Sequence, residues 1–251
     1  MSAAPAPVGY LRPQWAAPPG VHAAFTLRQG GVSAAAFASL NLGTHVGDAA
    51  AAVAENRARV RRALALPGEP CWVEQVHGTR VLELDESFGQ PLPEADAVVC
   101  RARGAVAVVQ VADCLPVLFA ARDGSVVAAA HAGWRGLSAG VLEATVAQIG
   151  IAPADLVAWL GPAIGPAHFE VGAEVRAAFT AHDAHAVQAF TPNARGRWQC
   201  DLSRLARQRL AAAGVSVVAG GKWCTYAERE RFFSFRRDGQ CGRMAALVWR
   251  A

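Results

Sequence analysis

Two histidines and one cysteine are the residues whose chemistry stands out in this chain. His77 and His131 each follow an apolar run and lie close to a glycine, and Cys114 follows the apolar residues 106–111. A rigid sheet can aim side chains at its strand ends into one cleft. Two imidazoles and one thiolate form a borderline-soft ligand set, which suits zinc or copper.

Three protein ligands leave one position of a tetrahedral metal open, which is typical of catalytic zinc rather than structural zinc. The spacing matches no compact metal motif, and by itself it also fits a buried core thiol and two hydrogen-bonded histidines. Three other functions stay open. They are a copper-dependent oxidase of phenols, a cysteine hydrolase with Cys114 as nucleophile and His131 as base, and a binding or editing protein with a structural metal.

Polar residues beside this set are candidates for catalysis and substrate binding. Asp113 precedes Cys114 and can orient a histidine, act as a general base or cap a turn. Gln75 lies two residues before His77, so strand alternation puts both side chains on one face and makes Gln75 a candidate substrate contact. Arginine forks bind phosphate through two hydrogen bonds. The candidates for phosphate binding are Arg28, Arg135, Arg236 and Arg237.

Short apolar strands and amphipathic helices must position these residues. β-branched runs predict strands at residues 71–76, 81–84, 97–100, 105–111, 116–120, 125–130, 156–160, 215–218 and 244–249. Helical periodicity predicts helices at residues 49–64, 137–149, 171–181 and 201–213. Asp48 is the expected N-cap of the first helix. The four runs between residues 97 and 130 predict one buried sheet with antiparallel pairing, and the helices are expected to pack outside it.

Composition narrows the class of protein. The chain has 251 residues, of which 53% are hydrophobic and 18% charged, so one domain can bury a large core. The net charge of +4 is dispersed, which argues against a nucleic-acid partner. No apolar stretch of about 18 residues and no signal peptide are visible, so no membrane partner is expected. Six cysteines without a CxxC pair predict reduced thiols in a cytoplasmic protein.

Domain organisation is simple. Residues 1–20 are rich in proline and alanine and are expected to form a loosely held lead-in. The remainder shows no internal repeat and no linker, so residues 21–251 are predicted to form a single catalytic domain.

Several segments together resemble one known family. They extend from about Thr26 to the C-terminus and comprise residues 28–33, 38–48, 74–78, 112–117, 131–136, 161–165 and 232–239, followed by Gly242-Arg243. These segments resemble the laccase-domain or YfiH-like family, which is described as purine nucleoside phosphorylases and earlier as multicopper polyphenol oxidases. Asn41, in the second segment, is a further candidate substrate contact.

The resemblance implies an α+β fold, a layered α/β/β/α sandwich with mixed β-sheets. It implies zinc bound by one cysteine and two histidines, which fall on His77, Cys114 and His131. The implied reactions are phosphorolysis of adenosine, inosine, guanosine and methylthioadenosine, and hydrolytic deamination of adenosine. A purine nucleoside and inorganic phosphate are therefore the expected partners, and related bacterial members are also credited with peptidoglycan editing. A monomer or weak homo-oligomer is expected.

Overall fold

The computed structural model describes residues 6–84 and 93–251, so residues 1–5 of the expected lead-in lie outside the described part. The strands are β1 Tyr10–Leu11, β2 Val21–Thr26, β3 Pro70–Cys71, β4 Val81–Leu84, β5 Ala97–Cys100, β6 Val106–Val111, β7 Leu115–Ala121, β8 Val127–Ala132, β9 Leu156–Leu160, β10 Glu170–Val171, β11 Phe190–Pro192, β12 Trp198–Cys200, β13 Val217–Gly220 and β14 Met244–Arg250. The helices are α1 Ala50–Leu64, α2 Trp134–Ala139, α3 Val141–Ile149, α4 Ala173–Thr180, α5 Leu202–Ala212 and α6 Phe235–Asp238.

The strands form two large sheets and one small sheet. One sheet has five strands in the order β1-β2-β14-β6-β3, another has six in the order β13-β9-β7-β8-β5-β4, and the third has the order β10-β12-β11. Both large sheets are mixed, because β3 pairs with β6 in parallel and β13 with β9 in parallel, while β14 and β6, and β7 and β8, are antiparallel. The expected mixed sheets are confirmed.

Alternation along the strands produces the layers. In β6, Val109 faces the core that is shared with the six-stranded sheet, whereas Val108 faces the opposite way and packs near Val60 of α1. On the far side of the six-stranded sheet, Val99 of β5 shares a core with Leu142 of α3. The order is therefore helix, five-stranded sheet, six-stranded sheet, helix. The α+β class and the layered sandwich expected from the sequence are confirmed.

The prediction of a single sheet between residues 97 and 130 is wrong for one strand. Strands β5, β7 and β8 pair antiparallel in the six-stranded sheet, but β6 pairs with β14 and β3 in the other large sheet. The chain crosses between the sheets at residues 112–114, where Asp113 adopts a φ of 91°. This crossing places Cys114 at one edge of the interface between the two sheets.

The strand expected at residues 71–76 ends at Cys71. Beyond it, the side chain of Gln75 takes the place of a paired strand, because its Nε2 donates to the carbonyl of Gln110 at 2.9 Å and its Oε1 accepts from the Gln110 N–H at 2.7 Å. His77 consequently lies in a loop with a φ of 62°. The strand alternation expected to relate Gln75 to His77 does not apply.

Three smaller expectations are also corrected. The helix predicted at residues 137–149 is two helices, divided at Gly140, whose φ of 104° ends α2. Ala49, not Asp48, is the N-cap of α1, and the Asp48 carboxylate instead accepts hydrogen bonds from Ser33 and Asn41. Strand β1 lies inside the expected loose lead-in, yet it pairs with β2.

A helix that crosses a bilayer needs about 20 consecutive, mostly apolar residues. Among the described residues, none of the helices is both long enough and apolar enough to cross a membrane.

Candidate functional site

Three separate elements bring His77, Cys114 and His131 together. His131 belongs to β8, Cys114 to the crossing between β6 and β7, and His77 to the loop after β3. The three ligand atoms lie within 4.8 Å of one another, and Cys114 Sγ is 3.8 Å from His77 Nε2. A sulfur and a nitrogen bound to one tetrahedral zinc lie about 3.5 Å apart, given bond lengths of about 2.3 and 2.0 Å. The donor set and its spacing therefore fit a metal ion.

Gly133 leaves the space in which this cluster assembles. A Cβ at this position would lie 2.9 Å from Cys114 Sγ and 3.0 Å from the His77 ring. Gly136 plays the same part for the loop, since a Cβ there would lie 2.8 Å from the carbonyl oxygen of Gly78. Gly133, between β8 and α2, and Gly136, within α2, thus allow the loop that carries His77 to approach the sheets.

Asp96, which directly precedes β5, supports both histidines. Its carboxylate is 0% exposed. The Nδ1 of His131 donates to it at 2.8 Å, and the backbone N–H groups of Val76, His77 and Gly78 donate to it at 3.2, 3.0 and 2.6 Å. Burial raises the pKa of Asp96, but the hydrogen bond and charge of His131, together with the hydrogen bonds from the Gly78 and His77 amides, outweigh burial and hold the pKa below its usual value.

Cys114 and His131 form a coupled pair. Burial raises the pKa of the Cys114 thiol, but the charge and hydrogen bonds of His131 and His77 outweigh it and lower the pKa to about 6. Burial lowers the pKa of His131, but Cys114 and Asp96 outweigh it and raise the pKa to about 9. Cys114 is therefore a thiolate at neutral pH, which is the form that binds metals.

Two cavities meet at the cluster and share the side chains of His77, Cys114 and Phe235. The first cavity has a volume of about 320 Å³, and its polar wall comprises His45, Gln75, Gln110 and Arg243. The second has a volume of about 290 Å³ and an aromatic and basic wall that comprises Trp134, Phe169, Arg135 and Arg236. Both volumes are close to the lower limit for small-molecule sites, about 300 Å³.

Asp113 lies in the wall of the second cavity. Its carboxylate accepts hydrogen bonds from Thr225 Oγ1 at 2.6 Å, Ser234 Oγ at 3.0 Å and the backbone N–H of Arg236 at 2.7 Å. Of the three roles open from the sequence, the contacts fit the turn-capping role, because these donors tie the crossing to α6. A role for Asp113 in catalysis stays a prediction.

The predicted phosphate ligands divide into two groups. Arg135 and Arg236 line the second cavity. Arg28 instead donates to the carbonyl oxygens of Ala38 and Arg229. Arg237 donates to the carbonyls of residues 225, 226 and 232 and pairs with Asp238.

The predicted substrate contact Asn41 is fully buried. Its side chain bonds to Gly43, Asp48 and the backbone of Arg243. Asn41, Arg28 and Arg237 are thus not among the residues that line either cavity, although Asn41 contacts the backbone of Arg243, which lines the first. The other predicted contact, Gln75, lines the first cavity while its amide is bonded to Gln110.

Sequence reasoning missed five residues of the site: Asp96, His45, Gln110, Arg243 and Phe235 as a cavity wall. Asp96 could have been found from the sequence, because it is a carboxylate directly before an apolar strand, just as Asp113 is a carboxylate close after one. Gln110 is a polar residue inside the apolar run of β6, which was a second signal. Burial lowers the pKa of His45, and the neighbouring Arg243 lowers it further.

The chain is similar to known proteins along nearly its whole length. The family described as multi-copper polyphenol oxidoreductase laccase matches residues 22–251. A purine nucleoside phosphorylase of Pseudomonas aeruginosa is 52% identical over 241 residues, which cover 96% of this chain and 98% of that protein. The purine nucleoside phosphorylase YfiH of Escherichia coli is 53% identical over 239 residues, covering 94% of this chain and 97% of that protein.

A solved structure shares the whole fold. The crystal structure of a Neisseria meningitidis protein matches with a TM-score of 0.93 and 47% identity, and the match covers 96% of this chain and 99% of that one. Similarity over nearly the full length of each chain shows common descent rather than a shared motif. The chain belongs to the family described as multi-copper polyphenol oxidoreductase laccase, the laccase-domain or YfiH-like family that its sequence resembles.

Proposed function

We propose that this chain is a zinc-dependent purine nucleoside phosphorylase that acts on adenosine, inosine, guanosine and methylthioadenosine and also deaminates adenosine. The observation that carries the proposal is the cluster of two imidazoles and one thiolate at the point where two cavities meet. Relatives named purine nucleoside phosphorylase, about half identical along nearly the whole chain, support the choice of reaction.

His77, Cys114 and His131 would hold the metal, and a mixed nitrogen and sulfur set suits zinc. When bound, zinc supplies Lewis acidity, which stabilises negative charge and acidifies water. Among the described residues the cluster has no fourth protein ligand, which supports a catalytic rather than a structural metal. Residues 21–251 act as one catalytic domain, as a monomer or weak homo-oligomer, and the six free cysteines support a reducing cytoplasm.

In phosphorolysis, an oxygen of inorganic phosphate attacks the anomeric carbon of the nucleoside. The bond from that carbon to the purine nitrogen breaks, the purine keeps the electron pair and gains a proton, and ribose 1-phosphate forms. We assign phosphate to Arg135 and Arg236 of the second cavity. Arg236 makes one side-chain hydrogen bond, to the carbonyl of Glu170, and Arg135 makes none among the described residues, so both retain donors for an anion.

We assign the nucleoside to the first cavity, with its base between the polar wall and Phe235. The exposed ring of Phe235 offers a stacking surface. The side-chain Oε1 of Gln110 is buried and has no hydrogen-bond partner among the described residues, so an N–H of the ligand would satisfy it. Gln75 stays a candidate contact through its position in the same wall. Asp113 is the candidate proton carrier for deamination.

The decisive experiment incubates purified, metal-analysed protein with adenosine, with and without phosphate, and separates the products by chromatography. Phosphate-dependent adenine together with about one zinc per chain supports phosphorolysis. Inosine formed without phosphate supports deamination. The variant His77→Ala serves as the control for contaminating enzymes, because it removes a metal ligand. If zinc-loaded wild-type protein forms neither adenine nor inosine, the proposal is contradicted.

The same preparation tests the rival functions. A laccase needs a trinuclear copper cluster in addition to one copper site, but His77, Cys114 and His131 are the only metal-ligand cluster within residues 6–84 and 93–251. The Cys114 thiolate beside His131 favours a cysteine hydrolase as the second candidate. A metal-bound thiolate is unavailable as a nucleophile. Copper with phenol oxidation, or metal-free hydrolysis of an ester, would favour the respective rival.

A further inference from the structure

We propose that Asp96 is the positioning residue of the metal centre. One buried carboxylate sets the ring orientation of His131 and the backbone position of His77, and so determines how tightly the three ligands bind a metal. This inference rests on the metal site of the proposed function, but it does not depend on which reaction the enzyme catalyses.

The contacts divide evenly between the two carboxylate oxygens of Asp96. Oδ1 accepts from Nδ1 of His131 and from the N–H of His77, at 2.8 and 3.0 Å. Oδ2 accepts from the N–H groups of Gly78 and Val76, at 2.6 and 3.2 Å. Each oxygen therefore has two donors, and both histidines of the cluster depend on one side chain.

This arrangement decides which nitrogen of His131 faces the cluster. A carboxylate accepts only, so Nδ1 of His131 keeps its hydrogen, and Nε2 is the nitrogen that can release its proton and bind a metal. A carboxylate partner also makes the imidazole a stronger donor to a metal. His77 has the opposite surroundings, since it is exposed and sits in a loop, and its own N–H bond to Asp96 is one of the contacts that fix it.

An amide of the same shape cannot replace the carboxylate. If the oxygen of an asparagine faces His131 and His77, its NH₂ group opposes the N–H groups of Gly78 and Val76. If the asparagine is reversed, its NH₂ group faces Nδ1 of His131 and drives the hydrogen onto Nε2, where it blocks the metal. Either orientation damages the ligand set, so Asp96→Asn is a diagnostic change.

The experiment measures metal binding directly, without turnover. Wild-type protein, Asp96→Asn and the control Asn56→Asp are stripped of metal and titrated with Zn²⁺ against a competing chelator, and their Co²⁺ complexes are compared by visible absorption. Asn56 is a matched control because it is also fully buried and multiply hydrogen-bonded, to the backbone of Val32, Ser39 and Asn41 and to Ser33.

We expect Asp96→Asn to bind Zn²⁺ about 10- to 100-fold more weakly, the usual effect of losing such a partner. Its Co²⁺ spectrum should change, whereas Asn56→Asp should be less stable to heat yet bind metal like the wild type. Equal Zn²⁺ affinity and identical Co²⁺ spectra in Asp96→Asn and wild-type protein would overturn the inference. The same loss of affinity in Asn56→Asp would also overturn it, by assigning the effect to general destabilisation.

A measurement on the wild type keeps the inference testable if Asp96→Asn does not fold. In the Zn²⁺-loaded wild type, nuclear magnetic resonance should find the His131 proton on Nδ1 and slow to exchange with water; a proton on Nε2 overturns the inference. Wild-type protein that binds neither Zn²⁺ nor Co²⁺ overturns both this inference and the proposed metal site. Tight Zn²⁺ binding by wild-type protein that cleaves no nucleoside contradicts the proposed reaction alone.

Discussion

The two cavities beside the candidate metal site hold their polar side chains in different ways. In the first cavity, the Gln75 amide is fixed by two hydrogen bonds to Gln110, and Nη1 of Arg243 donates to the carbonyls of Cys241 and Gly242. In the second cavity, Arg135 lies over the ring of the adjacent Trp134, and Arg236 lies over the ring of Phe169. One wall is anchored, and the other presents guanidinium groups with free donors.

This difference indicates a division of labour. In the first cavity the buried Gln110 Oε1, which has no hydrogen-bond partner among the described residues, discriminates strongly, because a ligand that lacks a matching N–H leaves it unpaired. Guanidinium groups with unused donors suit a small anion, which they can bind through two parallel hydrogen bonds. We therefore expect the first cavity to control the choice of nucleoside and the second to control the requirement for phosphate.

The largest effect on turnover should come from a change in the cluster of His77, Cys114 and His131, because the two cavities meet there. We expect Cys114→Ser to lose metal and to reduce turnover about 10³-fold, since Lewis acidity contributes several kcal/mol and about 1.4 kcal/mol is tenfold in rate. Metal analysis and phosphorolysis rates check this. Cys224→Ser is the matched control, because Cys224 is also partly exposed but lies outside the cluster. Full activity in Cys114→Ser would exclude the cluster as the active site.

The second cavity is tested by Arg236→Ala. We expect the KM for phosphate to rise about 10- to 100-fold, because a hydrogen bond to a charged group contributes about 1.5 to 3 kcal/mol. The KM for the nucleoside should change little, so the two substrates are titrated separately. The exposed Arg204, replaced by alanine, controls for the loss of one positive charge. An unchanged KM for phosphate would remove Arg236 from the site.

The first cavity is tested by Gln110→Leu. We expect about a tenfold higher KM for the nucleoside, from the loss of one hydrogen bond of about 1.4 kcal/mol, with phosphate binding unchanged. The free energy of unfolding should stay equal or rise, because a buried acceptor without a partner is removed.

Gln199→Leu is the matched control for Gln110→Leu. Gln199 also has an unpartnered buried Oε1, but it lies in β12. It should show the effect on urea unfolding without the effect on KM. A nucleoside KM that is unchanged in Gln110→Leu would place base recognition elsewhere.

The smallest kinetic effect is expected for an arginine whose donors are already used. Arg28→Ala should leave the KM for phosphate unchanged while the free energy of unfolding falls by about 2 kcal/mol, since each lost hydrogen bond contributes about 0.5 to 1.5 kcal/mol. Phosphate titration and urea unfolding measure the two quantities. Arg229→Ala, at an exposed position, is the control. A raised KM for phosphate would return Arg28 to the list of phosphate ligands.

The layered fold could be predicted because its causes are local or are carried by the family resemblance. The sheet to which β6 belongs could not be predicted. Strands β5, β6, β7 and β8 are all buried on both faces, so their sequences lack the apolar–polar alternation that would distinguish one sheet from another. The residue at which β3 ends also could not be predicted from the sequence. It depends on the Gln75 side chain bonding to the backbone of Gln110, 35 residues away.

The candidate site shows the same limit. His77, Cys114 and His131 could be chosen from residue type and neighbouring turns, and the structure brings them together. The arginines could not be sorted, because nothing local distinguishes a guanidinium bonded to carbonyls, such as Arg237, from one that faces a cavity, such as Arg135. Asp96 acts on a histidine 35 residues later, which only the pairing of β5 with β8 brings near.

The crossing at residues 112–114 has a consequence for assembly. His77 follows a strand of the five-stranded sheet, His131 belongs to the six-stranded sheet, and Cys114 lies on the connection between them. A metal held by all three is a cross-link between the two halves of the sandwich. Neither sheet alone can supply the complete ligand set, so tight metal uptake requires that the two sheets have docked and can report on their docking.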